Sequence, residues 1–341
     1  MVAPTADLAG LGLDGYLRIQ NEGAYGTPLV DGMTDVKQLP ETLITLNNMN
    51  IENANVIGSR IKQAPDTGRK RVEGTIELDQ DPTIMGEVYE WLLGAAASSG
   101  AATTGYTHIW LSPITGSEAG TSKTIQQAIG GNTVDQFDGC VATGLTLTSD
   151  NESNQKCSIP VVGQGHTGDV ARVSSWTFGA IPAYYFGMTS AVITVDGFDA
   201  YTQKIDSYEY TIDMGYDTEQ YKLGASGEID RPCFNGLTLG TLKMTIDADR
   251  NFMDWARAHT EMKIVLTTVH TTLAGSASGV YTTEIELPVC RLKPETVIPN
   301  TNEKVKMDLE LDLYGGTTTN SSGSVRAFEI RQLDATDTYT G

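Results

Sequence analysis

Aromatic residues, basic residues and cysteines are all scarce in this sequence, and no long apolar run interrupts it. Aromatics make up 7% of the 341 residues, and there are four cysteines, Cys140, Cys157, Cys233 and Cys290. None of the four stands in C-x-x-C spacing, so neither a zinc ribbon nor a redox motif is indicated. Buried free thiols are expected instead. No segment approaches the roughly 20 apolar residues that a membrane span requires, and "MVAPTADLAGLGLDGYLRIQ" lacks the basic start and apolar run of a signal peptide. The expectation is a chain that stays in the cytoplasm where it is made and does not bind membranes.

Basic charge is the other shortage. Lys and Arg number 23 against 43 Asp and Glu, a formal net charge of −20. Residues 1–180 carry 20 acids and 10 bases and residues 181–341 carry 23 and 13, so each half stands at −10. Acidity spread that evenly belongs to the whole surface and argues against a protein that grips phosphates. One stretch departs from it. "GSRIKQAPDTGRKR", residues 58–71, holds five of the ten bases of the first half, Arg60, Lys62, Arg69, Lys70 and Arg71, and reads as a long basic loop. Such a patch on an acidic body can clasp another subunit. It has no aromatics for base stacking, which weakens a nucleic-acid grip.

What is abundant is glycine, 36 residues, in a globular composition of 40% hydrophobic residues, and the fold class read from this is mainly β. Residues 1–39 are broken by Gly, Pro and Asp and read as an N-terminal arm. "PETLITLNNMNIENANVI" and "VEGTIELD" alternate as strands, and "AAASSGAATTG" reads as a loop. Further strand-like runs are "YTHIWL", "KTIQQAI", "CVATGLTLTS" and "KCSIPVV", followed in the second half by "AVITVDG", "SYEYTIDM", "GLTLGTLKMTI", "MKIVLTTV", "YTTEIELPV", "KVKMDLELDLY" and "VRAFEIRQL".

Two places change period. After Asp81-Pro82, which can cap and open a helix, Ile84, Val88, Trp91 and Leu92 follow at helical spacing up to Gly94. After Asp249, Phe252, Trp255 and Ala256 do the same. Aligning Gly74–Trp91 with Gly240–Trp255, and the run from Gly139 with the run from Val289, gives the same order of features twice. The reading is an internal duplication: a first β domain over 40–180, a second over 181–316 and a C-terminal extension over 317–341, with Trp91 and Trp255 anchoring each helix to its sheet.

Candidate chemistry fails on context. Gly10, Gly12 and Gly15, and again Gly163, Gly165 and Gly168, form G-x-G-x-x-G without the strand-to-helix turn of a dinucleotide loop. "DADRN" starts like a calcium loop but has Phe252 and Ala258 where glycine and glutamate belong. His108, His166, His259 and His270 are not at metal-ligand spacing, and no G-x-S-x-G elbow accompanies them. No catalytic residue, metal ligand or cofactor is assigned.

The order and spacing of "NEGAYGTP", "GSRIKQAPDTGRKRVEGTIELDQDPTIMGEVYEWLLG", "FDGCVATGLTLT" and "YTTEIELPVCRLK" resembles the tail tube proteins, or major tail proteins, of long-tailed, non-contractile bacteriophages, over residues 16 to about 316. The resemblance implies a structural virion protein, not an enzyme. It implies a β-sandwich-like domain flanked by one helix, whose strands join those of neighbours in a ring around a channel for DNA delivery. Rings would stack through the basic loop, and other tail proteins would sit at the tube ends. Single-domain members form hexameric rings, so a duplicated chain would need three copies for a pseudo-sixfold ring. A channel lined with carboxylates offers DNA no cations to bind, which favours sliding. Within the same fold, a tail completion or baseplate ring protein is the alternative; outside it, a monomeric glycan-binding or adhesin-like β-sandwich, for which an exposed aromatic platform would speak.

Overall fold

A computed structural model describes residues 15–51, 66–114, 120–128, 134–173, 175–179, 181–195, 201–203, 205–222, 227–274, 279–293, 299–300, 306–315, 323, 325–337 and 339. The chain is mainly β, with two α-helices and a system of twenty linked, antiparallel strands. The N-terminal set is β1 (Tyr16–Asn21), β2 (Thr34–Val36), β3 (Leu43–Ile51), β4 (Asp66–Asp79), α1 (Met85–Leu93), β5 (Ala97–Ala101), β6 (Gly105–Leu111), β7 (Lys123–Ala128), β8 (Val134–Ala142), β9 (Gly144–Ser149), β10 (Lys156–Gly163) and β11 (Gly165–Thr167). A 3-10 turn at Phe186–Met188 leads to β12 (Thr189–Val195), β13 (Tyr201–Gln203), β14 (Ile205–Asp213), β15 (Tyr216–Asp217), β16 (Cys233–Phe234) and β17 (Leu239–Asp247). Then come α2 (Arg250–Ala258), β18 (Met262–Ala274), β19 (Gly279–Leu292), β20 (Pro299–Asn300), β21 (Lys306–Leu313) and β22 (Glu329–Asp334).

Neighbouring strands follow the order β2-β1-β7-β8-β10-β4-β3 in the first set and β13-β12-β18-β19-β21-β17-β14 in the second. Registers coincide as well as order. Ile19 stands opposite Ile125, as Ile193 does opposite Ile264. Lys123–Cys140 and Ile125–Phe137 flank a register shift, and Met262–Cys290 and Ile264–Leu287 flank another at the same place. Asp79 faces Lys156, and Asp247 faces Lys306.

The two sets meet where β9 pairs with β14 from Gly144–Asp213 to Ser149–Tyr208. Because side chains alternate across a sheet, registers decide which ones form rows. Leu78, Cys157, Leu147, Tyr210, Leu242 and Leu311 make one such row across β4, β10, β9, β14, β17 and β21, all buried. The core is therefore continuous through the junction.

The C-terminal strand adds a second tie. β22 pairs with β19 of the second set on one side and β6 of the first on the other.

Several sequence expectations are corrected. Residues 16–21 and 34–36, expected in an arm, are strands, and Leu17 and Ile19 are buried because β7 pairs along the whole of β1. The described end of the basic loop, Asp66–Arg71, is the start of β4, since a long hairpin with β3 carries the ladder out to Ile51–Asp66. The small-residue loop contains β5, an exposed strand paired to β6, where alanine and serine suffice because all five residues face solvent. Asp81 holds a turn, accepting from Thr83 N at 2.9 Å, while α1 starts later with Ile84 at its N-cap. Gly94 ends α1 and Asp249 caps α2 as expected.

The helices also differ more than their sequences suggest. All of α1 except Glu87 is buried, whereas α2 buries only Phe252, Trp255 and Ala256. The shared register of Asp79 and Asp247 puts Gly74 level with Leu242, not Gly240. Trp176 is exposed, lying on Tyr16 at 5.7 Å, and Cys233 is exposed while the other three thiols are buried.

Candidate assembly surfaces

The alternation that buries one row of the joined sheet turns the next row to solvent. Asp79, Lys156, Thr148, Glu209, Lys243 and Glu310 stand side by side across the same six strands. The row beside it runs Glu77, Ser158, Thr146, Thr211, Thr241 and Asp312. Cross-strand bonds knit the face together: Ser158 donates to Glu77 at 2.6 Å, Lys243 to Glu209 at 2.7 Å and Thr245 to Asp308 at 2.8 Å. Carboxylates outnumber lysines on it. No single strand carries this face, so sequence reading missed it; the signal was the acidic outer positions of "GTIELD", "YEYTID" and "KMDLELDL" taken together.

The basic segment lies at the junction. Arg71 pairs with Glu219 and, at 2.7 Å, with Glu73; Arg69 lies 3.9 Å from Glu219 and 4.8 Å over the ring of Tyr221. Lys70 donates its backbone N–H to Gly227 O at 2.7 Å. Gly227 takes φ +81, and a Cβ there would press into the Gly68 carbonyl, so only glycine permits this approach. Arg69, Lys70 and Arg71 therefore touch the connection between β15 and β16 of their own chain. Arg60 and Lys62 lie outside the described residues.

Trp91 is 1% exposed and its indole N–H donates to Cys140 O at 3.1 Å, tying α1 to β8. Trp255 packs edge-on against Phe252 at 5.1 Å. The two indoles sit at different helical positions, seven and six residues after their N-caps.

Beside Trp110 is a buried polar cluster. His108 Nε2 donates to Thr336 O at 2.8 Å and lies 3.3 Å from Asp334, while Nδ1 meets Ser98 at 2.8 Å. Burial disfavours the imidazolium, but the bond and charge of Asp334 outweigh it and raise the pKa. Tyr339 donates to Asp334, and Gln332 reaches Pro82 O at 2.8 Å. The bonds of His108 and Gln332 tie the C-terminal segment to β6 and to the turn before α1. His108, Gln332 and Asp334 are all fully buried.

A groove of about 780 Å³ lies at the far end of the second set, lined by Leu237, Leu239, Tyr314, Val325 and Ile114 among others. Leu237 is 80% exposed and Leu239 60%.

Among the described residues, no group of three or more His, Cys, Asp or Glu is placed to hold a metal, and no helix is long and apolar enough to cross a membrane. Gly163 ends β10 and Gly165 opens β11, so the second glycine pattern leads into a strand, not a helix; Gly10 and Gly12 of the first lie outside the described residues. Burial pushes the Cys140 and Cys157 thiols well above their ordinary values, the reverse of what a nucleophile needs.

A comparison with curated proteins yields no match. Residues 12–328 match the profile of the phage tail tube protein family, nearly the whole of a chain whose two strand sets share one sheet, and the chain belongs to that family of structural tail proteins.

Proposed function

We propose that this chain is the subunit of a tail tube of the long, non-contractile type, built of stacked rings that enclose a channel for DNA. The chain is read as two duplicated tube units, 40–180 and 181–316, the first completed by β1 and β2; three chains then make a pseudo-sixfold ring. The matching registers of the two sets support the duplication. The observation that carries the reading is the solvent face of the joined sheet, six strands wide, whose two rows hold five carboxylates against two lysines.

That face is assigned to the channel. Duplex DNA binds proteins by exchanging condensed counterions for Lys and Arg, and a wall with few of these gives it nothing to exchange. Passage is then unhindered and independent of sequence. Contact between rings is assigned to the basic hairpin, through Arg60, Lys62, Arg69, Lys70 and Arg71, of which Arg69 and Arg71 also reach Glu219 of their own chain. Other tail proteins close the tube ends, and assembly takes place in the host cytoplasm.

Negative-stain electron microscopy of concentrated protein tests the proposal. Stacked rings with a central hole are expected. A protein that stays a compact monomer by light scattering at every concentration refutes it.

A further inference from the structure

One row of side chains is polar in the first set of strands and apolar in the second. In the first set Asn21 of β1 stands opposite Lys123 of β7, which stands opposite Cys140 of β8. The same places in the second set hold Val195, Met262 and Cys290, all buried. Alternation puts Asn21 and Lys123 on the side of Ile19 and Ile125, toward the core. The second set shows that apolar residues fill this row. A buried ion pair is a poor substitute for them, because the cost of taking both charges out of water can exceed what their attraction returns. An asparagine, a lysine and a glutamate at this spot therefore call for a reason other than packing.

Their geometry supplies one. Lys123 is fully buried, and its Nζ donates to Asn21 Oδ1 at 2.5 Å and to Oε2 of Glu87, on α1, at 2.9 Å. The hydroxyl of Thr121 donates to the same Oδ1 at 3.4 Å. An amine held against a carboxamide, with a carboxylate on the amine, has the parts of an acyl transfer. Nucleophile, proton carrier and electrophile meet in a buried site, where effective concentrations far exceed any in solution. The Glu87 side chain keeps 18% of its surface exposed, which leaves a way out for a small leaving group.

We propose that Lys123 and Asn21 join in an intramolecular isopeptide bond, formed by the chain itself with Glu87 as the catalytic residue and ammonia as the product. Glu87 takes one proton from the Lys123 ammonium. The freed lone pair of Nζ adds to Asn21 Cγ, and the carbonyl electron pair moves onto Oδ1, where the Thr121 hydroxyl meets it. Glu87 gives its proton to Nδ2 and removes a second one from Nζ. The pair on Oδ1 returns, the Cγ–Nδ2 bond breaks, and ammonia leaves with the proton held by Glu87, as ammonium. Nothing is oxidised or reduced. The bond staples β1 to β7 between residues 102 apart in sequence, a covalent brace in a chain whose cysteines are all free. The second set, with valine and methionine in the same places, forms no such bond.

Mass spectrometry of the denatured full chain tests this. Wild type is expected to weigh one ammonia less than its sequence, about 17 Da. Trypsin should release residues 19–37 still joined to the segment that holds Lys123, uncut after that lysine. Lys123→Met, which copies the second set, and Glu87→Gln should both show the full sequence mass and no joined peptide. A wild-type chain of full sequence mass, even after prolonged incubation of the folded protein, overturns the proposal. A deficit that persists in Lys123→Met overturns it as well, since the ammonia then came from elsewhere. Should either variant fail to fold, the wild-type digest decides by itself: separate peptides carrying Asn21 and Lys123 overturn the bond, and a joined one establishes it.

Discussion

Replacing Gly86 by alanine should destabilise this protein, although alanine is the better helix former. Gly86 lies in the first turn of α1, where the exchange on its own would gain up to about 1 kcal/mol. A Cβ there would fall far inside contact distance of Cζ and Oη of Tyr339. That ring cannot simply swing aside: it is 6% exposed, 4.8 Å from His108 and 5.9 Å from Trp110, and its hydroxyl donates to buried Asp334. Expelling it forfeits most of the burial of an aromatic side chain, about 2–4 kcal/mol, and one bond to a buried carboxylate. The net expectation is a loss of about 2–3 kcal/mol in urea unfolding, with earlier hydrogen exchange in β22. With Tyr339→Ala as background the same substitution should become neutral or slightly stabilising, and this reversal of sign is the decisive readout of a double-mutant cycle. If Gly86→Ala is as stable as wild type in the unaltered background, the C-terminal segment is not lodged against α1 and the closure described for it is wrong.

Four further outcomes are expected. Burial first, and the nearby Glu87 carboxylate second, push Glu90 up from its ordinary 4.5 to about 7. A folded pKa above the unfolded one means stability present at low pH and lost as pH rises through about 7, so Glu90→Gln should add about 1–2 kcal/mol at pH 8 and little at pH 4.5, read by paired melts. His108, also raised, acts in the same direction: its contribution is full below its ordinary 6.5 and declines as pH climbs past its folded value, so wild-type Tm should fall from mildly acidic to alkaline pH. Trp91→Ala should cost about 3–5 kcal/mol, and Trp91→Phe less, because the smaller ring still fills most of the site while Cys140 O loses its donor. Glu209→Lys with Asp308→Lys and Glu310→Lys should cost about 1–3 kcal/mol, because like charges then flank Lys243 on both sides, and should give assembled tubes a salt-dependent grip on duplex DNA; no binding in a filter assay would sink the assignment of that face to the channel.

The alternation of apolar and polar residues determined most of the strands, because a half-buried sheet tolerates only one period, and "KCSIPVV" or "SYEYTID" therefore declare themselves locally. The same holds for the ends of the helices, where Gly94 and Asp249 do the capping work that their residue types allow. Pattern misled where a partner strand supplied the stability: "YLRIQ" reads as part of an arm until β7 pairs with it, and "ASSGA" is a strand only because β6 lies beside it. The basic segment showed its charge in sequence but not its neighbour. That Arg71 meets Glu219, 148 residues away, depends on how two sets of strands are joined.

Period, charge and glycine content thus set the class of fold and an acidic surface from the sequence by itself, since each is a property of short stretches or of totals. Tertiary structure alone decided that β9 and β14 share a ladder. A strand's sequence sets which of its faces is buried, whereas its neighbour is chosen by backbone bonds that carry no residue identity, and both the acidic face and the open groove follow from that choice.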